Sequence, residues 1–109
     1  MTPDFSWGYN NFVRITCDPD KRVATLEERG IDMLDAAKVF AGPTATWTDD
    51  RFEYGETRYL TAGLLAGRVV LIAWTQRSRS RRVISMRYCH AKEVRKLRHR
   101  FPEAFTDEA

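Results

Sequence analysis

The sequence predicts an α+β fold in which two short helices precede a sheet and one helix follows it. Three observations carry this. Asp18-Pro19 and Gly30 bracket a helix-length segment; Arg68 to Thr75 is an almost unbroken apolar run entered through the turn pair Ala66-Gly67; and Val94, Leu97 and Phe101 recur at helical spacing before Pro102. At 109 residues the chain is large enough for one core and too small for two. The expected division is a flexible arm over residues 1–11, one domain over 12–103 and a frayed acidic tail over 104–109.

The elements follow in order. Phe12 to Cys17 alternates as a short strand, and Asp18 then caps a helix whose first position is Pro19, where a missing amide hydrogen costs nothing. That helix runs to Arg29 with Val23, Ala24 and Leu26 as its apolar stripe, and Gly30 supplies the left-handed stop. Asp32 opens a second helix with Leu34, Ala37 and Phe40 at helical spacing, closed by Ala41-Gly42-Pro43. Thr44 to Thr48 is β-branched and aromatic, an acidic turn at Asp49 and Asp50 interrupts it, and Thr57 to Leu65 resumes as a strand. Ala66-Gly67 turns the chain into Arg68–Thr75, whose apolar continuity fits a strand covered on both faces, and Arg82 to Tyr88 repeats that character. His90 to Phe101 is the last helix, with Lys92, Arg95, Lys96, Arg98 and Arg100 around its apolar stripe.

Charge narrows the function. The net charge is only +3, but residues 77–100 hold ten Lys or Arg and a single acid, Glu93. Such clustering makes a local positive potential that attracts polyanions; a solvated basic face is the plainer reading. Cys17 and Cys89 stand 72 positions apart without companion cysteines, which fits reduced thiols and no metal or redox motif. No segment has the length or apolarity to span a bilayer, so the expected location is cytoplasmic, without membrane contact, metal or cofactor. Residues 1–11 mix turn formers with Phe5, Trp7 and Tyr9, aromatics suited to docking on the body or a partner.

The order of short motifs resembles a known family. Asp18-Pro19-x-Lys21, Gly30-Ile31, Ala36-Ala37-x-Val39-Phe40-x-x-Pro43, Glu56-x-Arg58, Gly63, Arg68, Thr75-x-Arg77, and Arg82-Val83-Ile84-Ser85-x-Arg87 followed by Lys92-Glu93 are similar to the BrnT toxins over roughly residues 14–98. The resemblance implies a RelE-like antiparallel sheet with two N-terminal helices and one C-terminal helix. It also implies a type II toxin that cuts RNA without a metal and is neutralised by a BrnA-like antitoxin. That antitoxin carries a ribbon-helix-helix domain, through which the complex reaches operator DNA.

Metal-free cleavage of RNA needs a base for the 2′-hydroxyl proton, cations for the charge developing on the phosphorane, and an acid for the leaving oxygen. Arginine fits the second role, because its planar fork meets two phosphate oxygens and keeps its proton. The expected catalytic set is Glu56, Arg58, Arg82 and Arg87, with Glu56 as base two residues from Arg58 on the same strand face. A purely structural Glu56–Arg58 ion pair is the alternative. Arg82 and Arg87, five apart, fall on opposite faces of a regular strand, so both reach one site only through a bulge or a strand end. Arg77 is their neighbour on the preceding strand, and Arg79 and Arg81 read as loop residues holding RNA. Trp74 either stacks on a base or is a buried strand residue. His90, at the start of the last helix, reads as a cap or an exposed side chain.

One stretch departs from the family. Where its members commonly show Asn-x-x-Lys-His-Gly, this chain has Thr25-Leu26-Glu27-Glu28-Arg29-Gly30, which puts an acid in place of a lysine. Three functions therefore stand: a toxin ribonuclease, a catalytically weak relative retained for partner binding and co-repression, and a simple nucleic-acid-binding module.

Overall fold

The structure, a computed structural model, describes residues 13–105; the aromatic arm with Phe5, Trp7 and Tyr9 lies outside the described residues. The elements are β1 (Arg14–Cys17), α1 (Pro19–Arg29), a 3-10 turn (Met33–Asp35) leading into α2 (Ala36–Phe40), β2 (Thr44–Thr48), β3 (Tyr59–Leu65), β4 (Arg68–Arg77), β5 (Ser80–Tyr88), α3 (Ala91–Arg100) and a closing 3-10 turn (Pro102–Ala104). They form one five-stranded sheet in the order β1-β5-β4-β3-β2. The fold class is the α+β arrangement the sequence predicts. The sheet is antiparallel from β5 to β2, while the edge strand β1 runs parallel to β5.

Local chemistry sets the element ends. The Asp18 carboxylate accepts from the Lys21 amide at 3.0 Å with Pro19 in the first turn, and Gly30 stops α1 at φ 70°. Ala66 and Gly67 both have positive φ, 52° and 82°, the signature of a type I′ turn whose twist matches the strands it joins.

Helices pack on both sides of the sheet. On the first face Ile31, Met33, Ala36 and Val39 meet Val70, Ile72, Trp74, Val83 and Met86. On the second, Val94 and Leu97 of α3, Phe101 just after it and the buried Phe105 meet Ala45, Ala62, Val69 and Leu71. Phe105 belongs by sequence to the expected tail, yet it is 4% exposed. The strand residues that α3 contacts on β4 are Val69 and Leu71, at the start of that strand. The far half of the second face, at the end of β4 and the start of β5, has no helix packed on it among the described residues.

Two expected stripes are corrected. Val23 and Leu26 are 56% and 50% exposed, and Thr25 is the buried residue of α1. Polar struts fix the helix in this rotation: Arg22 pairs with Asp32 at 2.8 Å, and Arg29 Nη1 donates to the Met86 carbonyl at 3.0 Å. In the next segment Met33, Ala36 and Val39 are buried, while Leu34 is exposed. The chain enters this segment as a 3-10 turn, whose three-residue period puts positions three apart on one face and shifts the stripe by one residue.

Candidate active site

The open half of the second sheet face gathers the polar residues. Its frame is the register. Tyr59 opposes Trp74, and these two aromatic rings stack on the first face at 4.7 Å between centroids. The ladder continues past β3, with the Asp49 amide donating to the Arg58 carbonyl at 2.8 Å. Alternation then sends the Arg58 side chain to the second face. Thr75, the next residue after Trp74, opposes Arg82 of β5, which in turn opposes Thr16 of β1. Arg58, Thr75, Arg82 and Thr16 therefore form one row across four strands. Arg58 and Arg82 stand two strands apart, about 10 Å between backbones. The Thr75 hydroxyl ties the row to the incoming loop by donating to the Thr57 carbonyl at 2.7 Å.

Glu56 sits beside this row. Its carboxylate lies 3.8 Å from Arg58 Nε and 3.1 Å from Arg77 Nη2, so a single acid is bracketed by guanidinium groups from two strand ends. The first separation is too long for a hydrogen bond, and Arg58 Nε is buried without a hydrogen-bond partner. The Arg58 guanidinium is instead held over the Tyr54 ring, 4.0 Å from its centroid.

A bulge in β5 decides where Arg87 points. Ala73 opposes Ser85 and Trp74 opposes Val83, which leaves Ile84 as an extra residue. Arg87 thus shares the second face with Arg82, although their separation is odd. It lies roughly 13 Å further along the strand and is engaged there: Glu93 of α3 receives two bonds from it, at 2.9 and 2.7 Å. Glu93 also accepts from the His90 amide at 3.0 Å, so the same carboxylate closes the first turn of α3. The hydrogen bond from Arg87 is the main reason the Glu93 pKa is lowered to about 2.

The remaining expected site residues divide clearly. Arg79 is in the β4–β5 turn and exposed. Arg81 is corrected: it lies within β5, on the first face, its guanidinium 4.5 Å from the Phe40 ring and 4.4 Å from Trp74, where burial lowers its pKa. Trp74 is 6% exposed and donates its only N–H to the Thr61 hydroxyl at 2.8 Å, which leaves it without an open ring face for a base. Of the two sequence readings of this tryptophan, the buried one holds.

Sequence reasoning missed the loop that carries Arg58. Asp49 is buried; it receives Arg51 Nε and Nη2 at 2.7 and 2.8 Å and the Tyr54 hydroxyl at 3.0 Å. The paired guanidinium holds this carboxyl far below the usual carboxylate range. Asp49, Arg51 and Tyr54 thereby shape the loop between β2 and β3. An acid two residues before an arginine was the available signal, but a polar stretch between strands reads equally well as a plain turn.

No helix of the described residues is long and apolar enough to cross a membrane. A comparison with curated proteins finds no match. A family model described as "Ribonuclease toxin, BrnT, of type II toxin-antitoxin system" matches residues 17–93, a span that includes β5, its bulge, Glu56 and every arginine of the row. The chain belongs to the BrnT family of ribonuclease toxins of type II toxin–antitoxin systems.

Proposed function

We propose that the chain is a metal-independent endoribonuclease whose scissile phosphate lies on the open sheet face between Arg58 and Arg82. The observation that carries the reading is the cross-strand row: two guanidinium groups share one face with Thr75 between them and Glu56 alongside. A phosphate lodged there meets fixed cations from two strands. These stabilise the dianionic phosphorane without having to reorganise, which is where preorganised donors contribute most. The Arg58 side chain as a whole is 29% exposed, so it can be reached by a phosphate arriving on that face. Glu56 takes the 2′-hydroxyl proton as that oxygen bonds to phosphorus, and the P–O5′ bond breaks with the leaving oxygen protonated by solvent, which reaches the open face. Contact with Arg77 keeps the Glu56 carboxylate placed, and arginine's retained proton makes Arg77 a positioning cation rather than an acid.

Arg87 works one step removed, fixing α3 through Glu93 and so bounding the open face. Arg79, exposed at the adjacent turn, steers the RNA backbone. In the cell the chain acts in the cytoplasm and is neutralised by a BrnA-like antitoxin with a ribbon-helix-helix domain, and the complex of the two binds operator DNA through the antitoxin. The test is cleavage of a single-stranded RNA by purified protein in the presence of excess chelator. Cleavage that survives chelation and disappears in Arg58→Ala and Arg82→Ala, with melting temperatures preserved, is the expected result. Intact RNA with folded wild-type protein, or cleavage restored only by added divalent cation, overturns it.

A further inference from the structure

Phe52 is 69% exposed, the most exposed of the large apolar side chains among the described residues. It stands edge-to-face with Tyr54, 5.8 Å between ring centroids at 77°, and Tyr54 carries the Arg58 guanidinium. The base of the loop is tied down by the two hydrogen bonds from Arg51 to the buried Asp49 and by the Tyr54 hydroxyl on the same carboxylate. An exposed apolar ring on a polar, pinned loop beside a cationic row has no folding role to explain it.

We propose that the loop between β2 and β3 is a nucleobase platform: Phe52 stacks on an unpaired base next to the phosphate held by Arg58 and Arg82, and Tyr54 ties this platform to Arg58. The inference rests on the functional reading above and names the substrate contact that reading lacks. The hollow beside Phe52, about 240 Å³, is lined by Asp50, Glu53 and Glu56 together with Tyr54 and Arg58. Carboxylates repel a phosphate but accept hydrogen bonds from base N–H groups. The hollow therefore takes a base and leaves the backbone on the arginine row outside it. Stacking on an aromatic ring is the usual way a protein holds a splayed base of single-stranded RNA. Trp74, the other candidate ring, is closed off beneath the sheet.

The test uses a 2′-O-methyl single-stranded RNA, which cannot be cleaved by 2′-hydroxyl attack, and reads its affinity by anisotropy. Phe52→Ala weakens binding roughly 5- to 100-fold, the loss of one base–aromatic stack, and Phe52→Trp restores it. An abasic nucleotide moved along the probe weakens wild-type binding at one position and leaves Phe52→Ala unaffected at that position. Leu34→Ser, which removes an exposed apolar side chain from the opposite side of the sheet, binds as wild type. Tyr54→Leu weakens binding and also shifts the Arg58 Nε–Hε resonance downfield, as the ring above it is lost. The proposal is overturned if Phe52→Ala binds as tightly as wild type, if the abasic penalty is the same in both proteins, or if wild type does not bind the probe. Should Phe52→Ala lose affinity while Arg58→Ala and Arg82→Ala still cut RNA, the platform stands and the assignment of the arginine row falls; the reverse pattern removes the platform alone.

Discussion

Val83 and Met86, three residues apart on β5, face the same side of the sheet, both buried against Ile72 and the α1–α2 layer. An odd separation puts two residues on opposite faces of a regular strand, so the chain has gained one residue between them, Ile84. The same extra residue brings Arg82 and Arg87 onto one face.

The bulge gives the first prediction. Deleting Ile84 leaves Arg82 and Arg87 four apart, an even separation that puts both on one face of a strand without a bulge. We expect the deletion variant to keep both arginines on the open face and to cut single-stranded RNA at close to the wild-type rate. Circular dichroism checks that the sheet persists; loss of cleavage by a folded deletion variant would show that the bulge itself, and not only the shared face, is needed.

On the proposed reading, Arg58 and Arg82 act on charge that develops only in the transition state. Arg58→Lys keeps the charge and loses the fork. A fall in kcat of about 100-fold or more, with KM for RNA changed much less, is expected. A rise in KM at constant kcat would instead mark Arg58 as a plain binding residue.

Gly63 is where α2 rests on β3. A methyl group added there would meet Val39 Cγ1 at 2.5 Å and Thr44 Cγ2 at 3.0 Å. Gly63→Ala should therefore destabilise the fold by about 1–3 kcal/mol. Chemical denaturation measures this, and an unchanged midpoint would mean that α2 moves aside.

Ala66 holds a left-handed φ of 52° in the first position of the β3–β4 turn. Asparagine tolerates that conformation, and Asn-Gly is the preferred pair for such a turn. Ala66→Asn should stabilise by about 0.5–1 kcal/mol, visible as a higher melting temperature. A lower one would count against the turn type.

Acid should loosen two ties, the Arg87–Glu93 pair at α3 and the Arg22–Asp32 pair at α1. Glu93 is lowered from 4.5 to about 2, first by the hydrogen bond from Arg87, and Asp32 from 3.8 to about 2 by that from Arg22. Folded values below the unfolded ones mean that the unfolded chain binds the protons first, so their stabilisation is complete above pH 4.5 and lost as pH falls towards 2. Melting temperature against pH in Glu93→Gln should show a shallower acid limb than wild type. An identical limb would show that the Arg87–Glu93 pair contributes nothing to it.

Capping and turn signals made most of the fold legible: Asp18-Pro19, Gly30 and Ala66-Gly67 each lie where the sequence puts them. The rotation of α1 was not legible, because Arg22 and Arg29 find partners ten and fifty-seven residues away that no local pattern announces. Side-chain direction in β5 had the same difficulty. Alternation counts residues, and a bulge is visible only once the partner strand is known. The family resemblance singled out Glu56, Arg58, Arg82 and Arg87 with Arg77 as their neighbour; the structure puts Glu56 beside both Arg58 and Arg77, and engages Arg87 with Glu93 further along the strand. The Asp49–Tyr54 support was not legible, since its residues meet only after the loop has closed.

α3 packs on the beginning of β4, so it bounds the open face on one side, and among the described residues no helix lies over the arginine row. On the proposed reading, a long polymer is laid across this face from the side, anywhere along its length, and no terminus has to be threaded.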